Sequence, residues 1–165
     1  VTTRDSQRSR VYAAEEFVRT LFDRAAQHSS RSIDFFGTQL TLPPEGRFAS
    51  MPSAQRYVDE VLALPAVTDR WPGPGPLRVR GRRSATAAHY ERQEGTGVIA
   101  VPDRDSADWA MRELVVLHEI AHHLTPDGPA HGPEFTATFC ELATMVMGPE
   151  VGHVLRVVYT KEGVR

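Results

Sequence analysis

Apolar residues at Val11, Ala14, Phe17, Val18, Leu21 and Phe22 recur every three to four positions, the spacing of an amphipathic helix near the start of the chain. Residues 33–42 then read as one bent strand or two short ones, broken at Gly37, and residues 55–64 return to helical spacing. The run Trp71-Pro72-Gly73-Pro74-Gly75-Pro76 is a stiff loop, and strand-like segments follow at 77–83, 87–92 and 97–101. Alternation in Leu77-Arg78-Val79-Arg80 turns the arginines of the first of these outward. From Asp105 to Leu124 there is neither Pro nor Gly. Asp105 or Ser106 can cap a helix there, with Asp108 in its first turn. That helix is apolar on two sides. Ala110, Met111, Leu114, Val115, Leu117, Ala121 and Leu124 share a face with His118 and His122, while Trp109, Val116 and Ile120 form an opposite strip. Glu119 falls at the seam, in the sector of Asp108, Arg112 and His123. A last helix is predicted over 133–147.

Composition narrows the class. With 165 residues, 41% apolar and 24% charged, the chain is expected to form a single domain over residues 1–165, large enough for a real core. The net charge of −2 gives no nucleic-acid signal, although almost all the positive charge is arginine, densest at Arg78, Arg80, Arg82 and Arg83; a solvated sheet face is the expectation there. The lone Cys140, set among Phe139, Leu142 and Ala143, excludes an intramolecular disulfide framework and reads as a small buried residue. No stretch approaches the length of a membrane span, and the first thirty residues lack the pattern of an export signal. A soluble, cytoplasmic protein is the expectation, and the pattern specifies no oligomeric state.

The chemistry concentrates in His118-Glu119-Ile120-Ala121-His122, an HExxH motif on the predicted helix. Residues four apart on a helix are neighbours on one face, so the two imidazoles can converge on one ion at about 2.0–2.1 Å. Glu119, about 100° further round, can reach a metal-activated water without ligating the metal. A catalytic zinc site typically has three protein ligands and an open position, so a third must come from downstream. Thr125-Pro126-Asp127-Gly128-Pro129 is a turn that no helix continues through. His131 then stands just before a helix start, with Pro133 as a natural first-turn residue.

The motif His118-Glu-x-x-His122, a short turn, then His131-Gly132-Pro133-Glu134-Phe135, resembles the SprT-like zincin metalloproteases, above all uncharacterised bacterial metallohydrolases of this size. The resemblance covers about residues 95–147. It implies zinc held by His118, His122 and His131, with Glu119 as catalytic acid/base, and an α+β, zincin-like fold with a small mixed or antiparallel sheet packed on the HExxH helix and further helices around it. It also suggests that the strand at 97–101 borders the cleft and receives extended peptide through main-chain hydrogen bonds. The DNA-repair members carry a basic or zinc-binding C-terminal module that this chain does not show after Met147, so action on DNA–protein crosslinks is not carried over.

Rival third ligands stay open beside His131. Glu141, nineteen residues past His122, suits a two-histidine-plus-glutamate site, and Glu134 and Asp127 are further carboxylates. A metzincin pattern fails, because it needs Gly at 125 and His at 128 where the chain has Thr125 and Gly128. His123 points about 100° away from His122 and is expected at the surface or behind the ligands. His89, Tyr90 and Tyr159 are candidate oxyanion donors, and His28 and His153 read as surface residues. The predicted activity is zinc-dependent hydrolysis of a peptide or protein substrate, with no membrane partner. Two other classes are compatible: a catalytically silent metal-binding or regulatory module, and a zinc hydrolase of non-peptide amides.

Overall fold

A computed structural model describes residues 4–83, 87–102 and 111–165. The described residues form six helices and two small sheets, a mixed α+β architecture. The chain divides into two compact units, one built from Val1–Glu45 and Asp127–Arg165, the other from Gly46–Pro126.

In the first unit, α1 spans Arg8–Ala26 and buries Val11, Ala14, Val18, Leu21, Phe22 and Ala25, the stripe its periodicity predicts. Phe17 falls off that stripe and is partly exposed, stacked on Phe36. The segment around Gly37 resolves into two short strands, β1 (Ser32–Phe35) and β2 (Thr38–Thr41), paired antiparallel. Phe36 and Gly37 both have positive φ, 50° and 87°, as a two-residue type I′ hairpin turn requires. The helices α5 (Pro133–Met147) and α6 (Pro149–Lys161) pack against each other, and α6 also packs on α1. Gly152 makes the first of these contacts possible, since a Cβ there would lie 1.8 Å from Thr144 Oγ1. Around it Phe135, Phe139, Leu142, Val151, Val154, Leu155 and Val158 form the apolar interior of this unit.

In the second unit, α2 (Met51–Ala63) starts at Ser50, whose hydroxyl accepts from the Ser53 N–H in a reciprocal capping box. A short helix, α3 (Pro65–Arg70), follows with Pro65 in its first turn; it has no counterpart among the predicted elements. The predicted strands form one mixed sheet in the order β3-β5-β4, with β3 (Leu77–Arg82) parallel to β5 (Thr96–Pro102), and β4 (His89–Gln93) antiparallel to it. The arginines of β3 face outward as alternation predicts. β5 is buried from Gly97 to Pro102 because it is the central strand, paired along both edges. Its main-chain groups are therefore committed to the sheet, which removes the expectation that residues 97–101 receive a peptide. Among the described residues, the strands with one unpaired edge in this sheet are β3 and β4.

The HExxH helix, α4, spans Glu113–Leu124 and packs on β4 and β5. Its first turn differs from the sequence expectation. Met111 and Arg112 are not helical: the Met111 carbonyl accepts from Phe48 N at 2.9 Å, the Glu113 N–H donates to the Gly46 carbonyl at 2.9 Å, and Arg112 bridges Arg47. Pairing with residues 46–48 thus satisfies backbone groups that a longer helix would have used. Glu113 secures the start, its carboxylate accepting from Gly46 N and from the Tyr57 hydroxyl. The expected caps Asp105 and Ser106, with Asp108, Trp109 and Ala110, lie outside the described residues. From Leu114 onward the two-sided burial holds, with Val116 and Ile120 as enclosed as Leu117 and Ala121.

Candidate metal centre

His118 and His122 occupy one face of α4, and their Nε2 atoms stand 3.2 Å apart. Two nitrogens bound at about 2.0–2.1 Å to one tetrahedral ion would be separated by about 3.3 Å, so the pair already has the span of two ligands. The rings meet edge to face, with centroids 4.9 Å apart. His118 is buried and His122 half-buried. Glu119 lies between them in sequence and is buried at 6% exposure. A carboxylate so placed is shielded from bulk water, which strengthens its interaction with any nearby proton or cation.

The residue after the motif does not lie at the surface. His123 is wholly buried, with Nε2 3.0 Å from the Gly75 carbonyl and Nδ1 3.0 Å from the Tyr90 hydroxyl. Since a carbonyl only accepts, Nε2 carries the proton, and the Tyr90 O–H donates to Nδ1. Burial holds this imidazole below the usual histidine range, with the charge of Arg92 adding to the effect against the hydrogen bond to Gly75. Tyr90, on β4, also stacks its ring on His122 at 6.1 Å with 13° between planes. Tyr90 therefore packs against one motif histidine while bonding the residue beside it, and His89, the other candidate on this strand, is exposed.

Gly97 on β5 makes room for this arrangement. A Cβ there would stand 2.4 Å from His123 Nδ1, 2.7 Å from its Cε1 and 2.9 Å from Leu77 Cδ1. His123 is held at both ring nitrogens and cannot step aside cheaply. Gly97→Ala is therefore expected to destabilise the fold by about 1–3 kcal/mol, lowering Tm by roughly 3–10 °C. Thermal unfolding followed by circular dichroism checks this, and an unchanged Tm would show that His123 is not fixed against β5.

His131 belongs to the other unit, in the turn just before α5, whose N-cap is Gly132 and whose first residue is Pro133. It is 4% exposed. Its Nδ1 lies 2.7 Å from Asp5 Oδ2, and Tyr12 and Phe135 approach its ring edge-on at 5.0 and 5.2 Å. The Gln7 side-chain amide donates to the His131 carbonyl at 2.9 Å and to the Arg165 carbonyl at 2.7 Å, while accepting from the Arg165 N–H at 3.0 Å. These two residues ahead of α1 carried no signal in the sequence, because their partners are more than 120 positions away.

Among the described residues, His118, His122 and His131 make the set of side chains that could hold a metal ion; Glu141, Glu134 and Asp127 are not part of it. Three imidazoles suit zinc, copper, iron or nickel, so the set alone does not name the metal. Other candidates fall elsewhere. Tyr159 sits in the interior of the first unit, its phenol pushed well above the usual range by burial and by Glu15. Cys140 is buried as expected, its thiol raised to about 12 by desolvation, which makes it inert as a nucleophile at neutral pH. His28 and His153 are exposed, the latter edge-on to Phe35. Of the arginine cluster, Arg80 pairs with Glu91, whose carboxyl the hydrogen bond from Arg80 holds below its ordinary range.

Comparison with family models, with curated proteins and with solved structures gives no match. Among the described residues, no helix is long and apolar enough to cross a membrane.

Proposed function

We propose that this chain is a zinc-dependent metallopeptidase of SprT-like, zincin type, working in a reducing, cytoplasmic compartment. In this reading His118, His122 and His131 bind the ion and Glu119 is the general base. The observation that carries it is the 3.2 Å separation of the His118 and His122 Nε2 atoms on one helix, with a buried carboxylate at the intervening Glu119. A structural site has no need of that carboxylate.

When bound, zinc supplies Lewis acidity and lowers the pKa of water toward about 7. The chain does the rest. Glu119 takes a proton from the attacking water and returns it to the leaving amine. The half-buried face of His122, flanked by the Tyr90 ring, is where a scissile carbonyl would enter. The edge of β4 not paired to β5 offers main-chain groups to an extended peptide, the role that the central β5 cannot fill.

Digestion assays separate this from other uses of the same residues. The zinc-loaded protein is expected to fragment an unfolded polypeptide, to lose that activity to a chelator and to regain it with added zinc. Hydrolysis confined to a panel of small amides would move the substrate class to non-peptide amides. No hydrolysis of either, with zinc retained, would leave a metal-binding module and overturn the enzyme reading.

A further inference from the structure

Within the first unit, the Asp5 carboxylate is hydrogen-bonded to a motif histidine. Its Oδ2 stands 2.7 Å from His131 Nδ1, within the range of charge-assisted hydrogen bonds. A carboxylate only accepts, so the proton sits on Nδ1, and Nε2 becomes the nitrogen whose lone pair can bind a cation. Tyr12 and Phe135 close on the ring from its sides, and Gln7 holds the backbone beneath it. The ring is thereby fixed in tautomer and in orientation.

We propose that Asp5 is a positioning residue for metal binding by His131: its carboxylate sets the tautomer, raises the basicity of Nε2 and holds the ring in its ligating orientation. This rests on the reading of His131 as a ligand. The carboxylate is poorly arranged for a purely structural job. Its other oxygen, Oδ1, is buried with no hydrogen-bond donor among the described residues, and leaving a charged acceptor so placed costs stability. Orienting a histidine through the nitrogen that does not bind the metal is, by contrast, a general device for tuning metal affinity.

The test measures metal binding and metal-free stability together, in wild type, Asp5→Asn, Asp5→Ala, His131→Ala and the Asp5→Ala/His131→Ala double variant. Zinc affinity is read by competition with a chromogenic chelator, and ligand geometry by the visible spectrum of the cobalt(II)-substituted proteins. Asp5→Asn keeps the shape and removes the charge, so it is expected to weaken zinc about 10–100-fold, with its metal-free melting temperature unchanged and its cobalt spectrum shifted. Asp5→Ala should weaken zinc at least as much, yet add nothing in the His131→Ala background, because the histidine through which it acts is gone. Wild-type affinity in both single Asp5 variants, alongside a strongly weakened His131→Ala, would overturn the positioning role and leave the three-histidine reading intact. Wild-type affinity in His131→Ala would instead remove His131 from the metal and take the positioning role with it. Equal losses from Asp5→Ala with and without His131, accompanied by a lower metal-free melting temperature, would make Asp5 a structural residue and overturn the proposal.

Discussion

Glu119→Gln is expected to retain its zinc and to lose hydrolysis by on the order of 10³-fold or more in kcat, toward the upper range for removal of a positioned general base. The substitution keeps the volume and removes the ability to take a proton, and because Glu119 is 6% exposed, a neutral amide there costs less to bury than the carboxylate it replaces. The His118–His122 pair should keep its spacing, since the two Nε2 atoms meet each other directly. Measured beside metal content, the result is specific: full zinc with no turnover assigns Glu119 to proton transfer. Retained hydrolysis in the zinc-replete variant would sink the general-base assignment.

The parts of the site legible in the sequence are those set by local geometry. His118 and His122 are four apart on an apolar stretch, so the helical period alone puts them on one face, and Pro133 after His131 announces α5. Long-range partnership is what escaped. The helix start at Glu113 follows from backbone pairing with Gly46–Phe48, some sixty-five residues earlier, which no capping pattern within residues 105–113 reveals. His123, expected at the surface or behind the ligands, is buried because β4 and the Pro-Gly loop supply a hydroxyl and a carbonyl for its two nitrogens; an isolated helical wheel can rank sectors but cannot name what covers them. The apolar run 97–101 fits an edge and a centre equally well, and only the strand order decides for the centre. Gly97 carried one cue, a glycine inside a strand pattern marking a close approach, though not to which group.

The other large effect concerns the metal. Wild-type protein reconstituted with zinc should hold about one ion per chain, as one three-ligand catalytic site implies. His118→Ala or His122→Ala should reduce that to a small fraction, because each removes half of the pair already spaced for an ion and leaves at most two ligands. His131→Ala should fall similarly, and Glu141→Ala should keep its zinc, since Glu141 lies on α5 outside the set that could hold a metal. The opposite outcome for the last two variants would exchange the third ligand for Glu141, giving a two-histidine-plus-glutamate site with the same general base. Elemental analysis after gel filtration distinguishes these, run with copper as a competitor, because copper(II) stands above zinc in the general order of divalent-metal affinities. A wild type that holds no ion under any of these conditions would reduce the 3.2 Å contact to a hydrogen bond between two imidazoles. That bond needs one Nε2 protonated while the other accepts, so metal binding and the bare pair compete for the same nitrogen, and the metal-binding curve should weaken as pH falls.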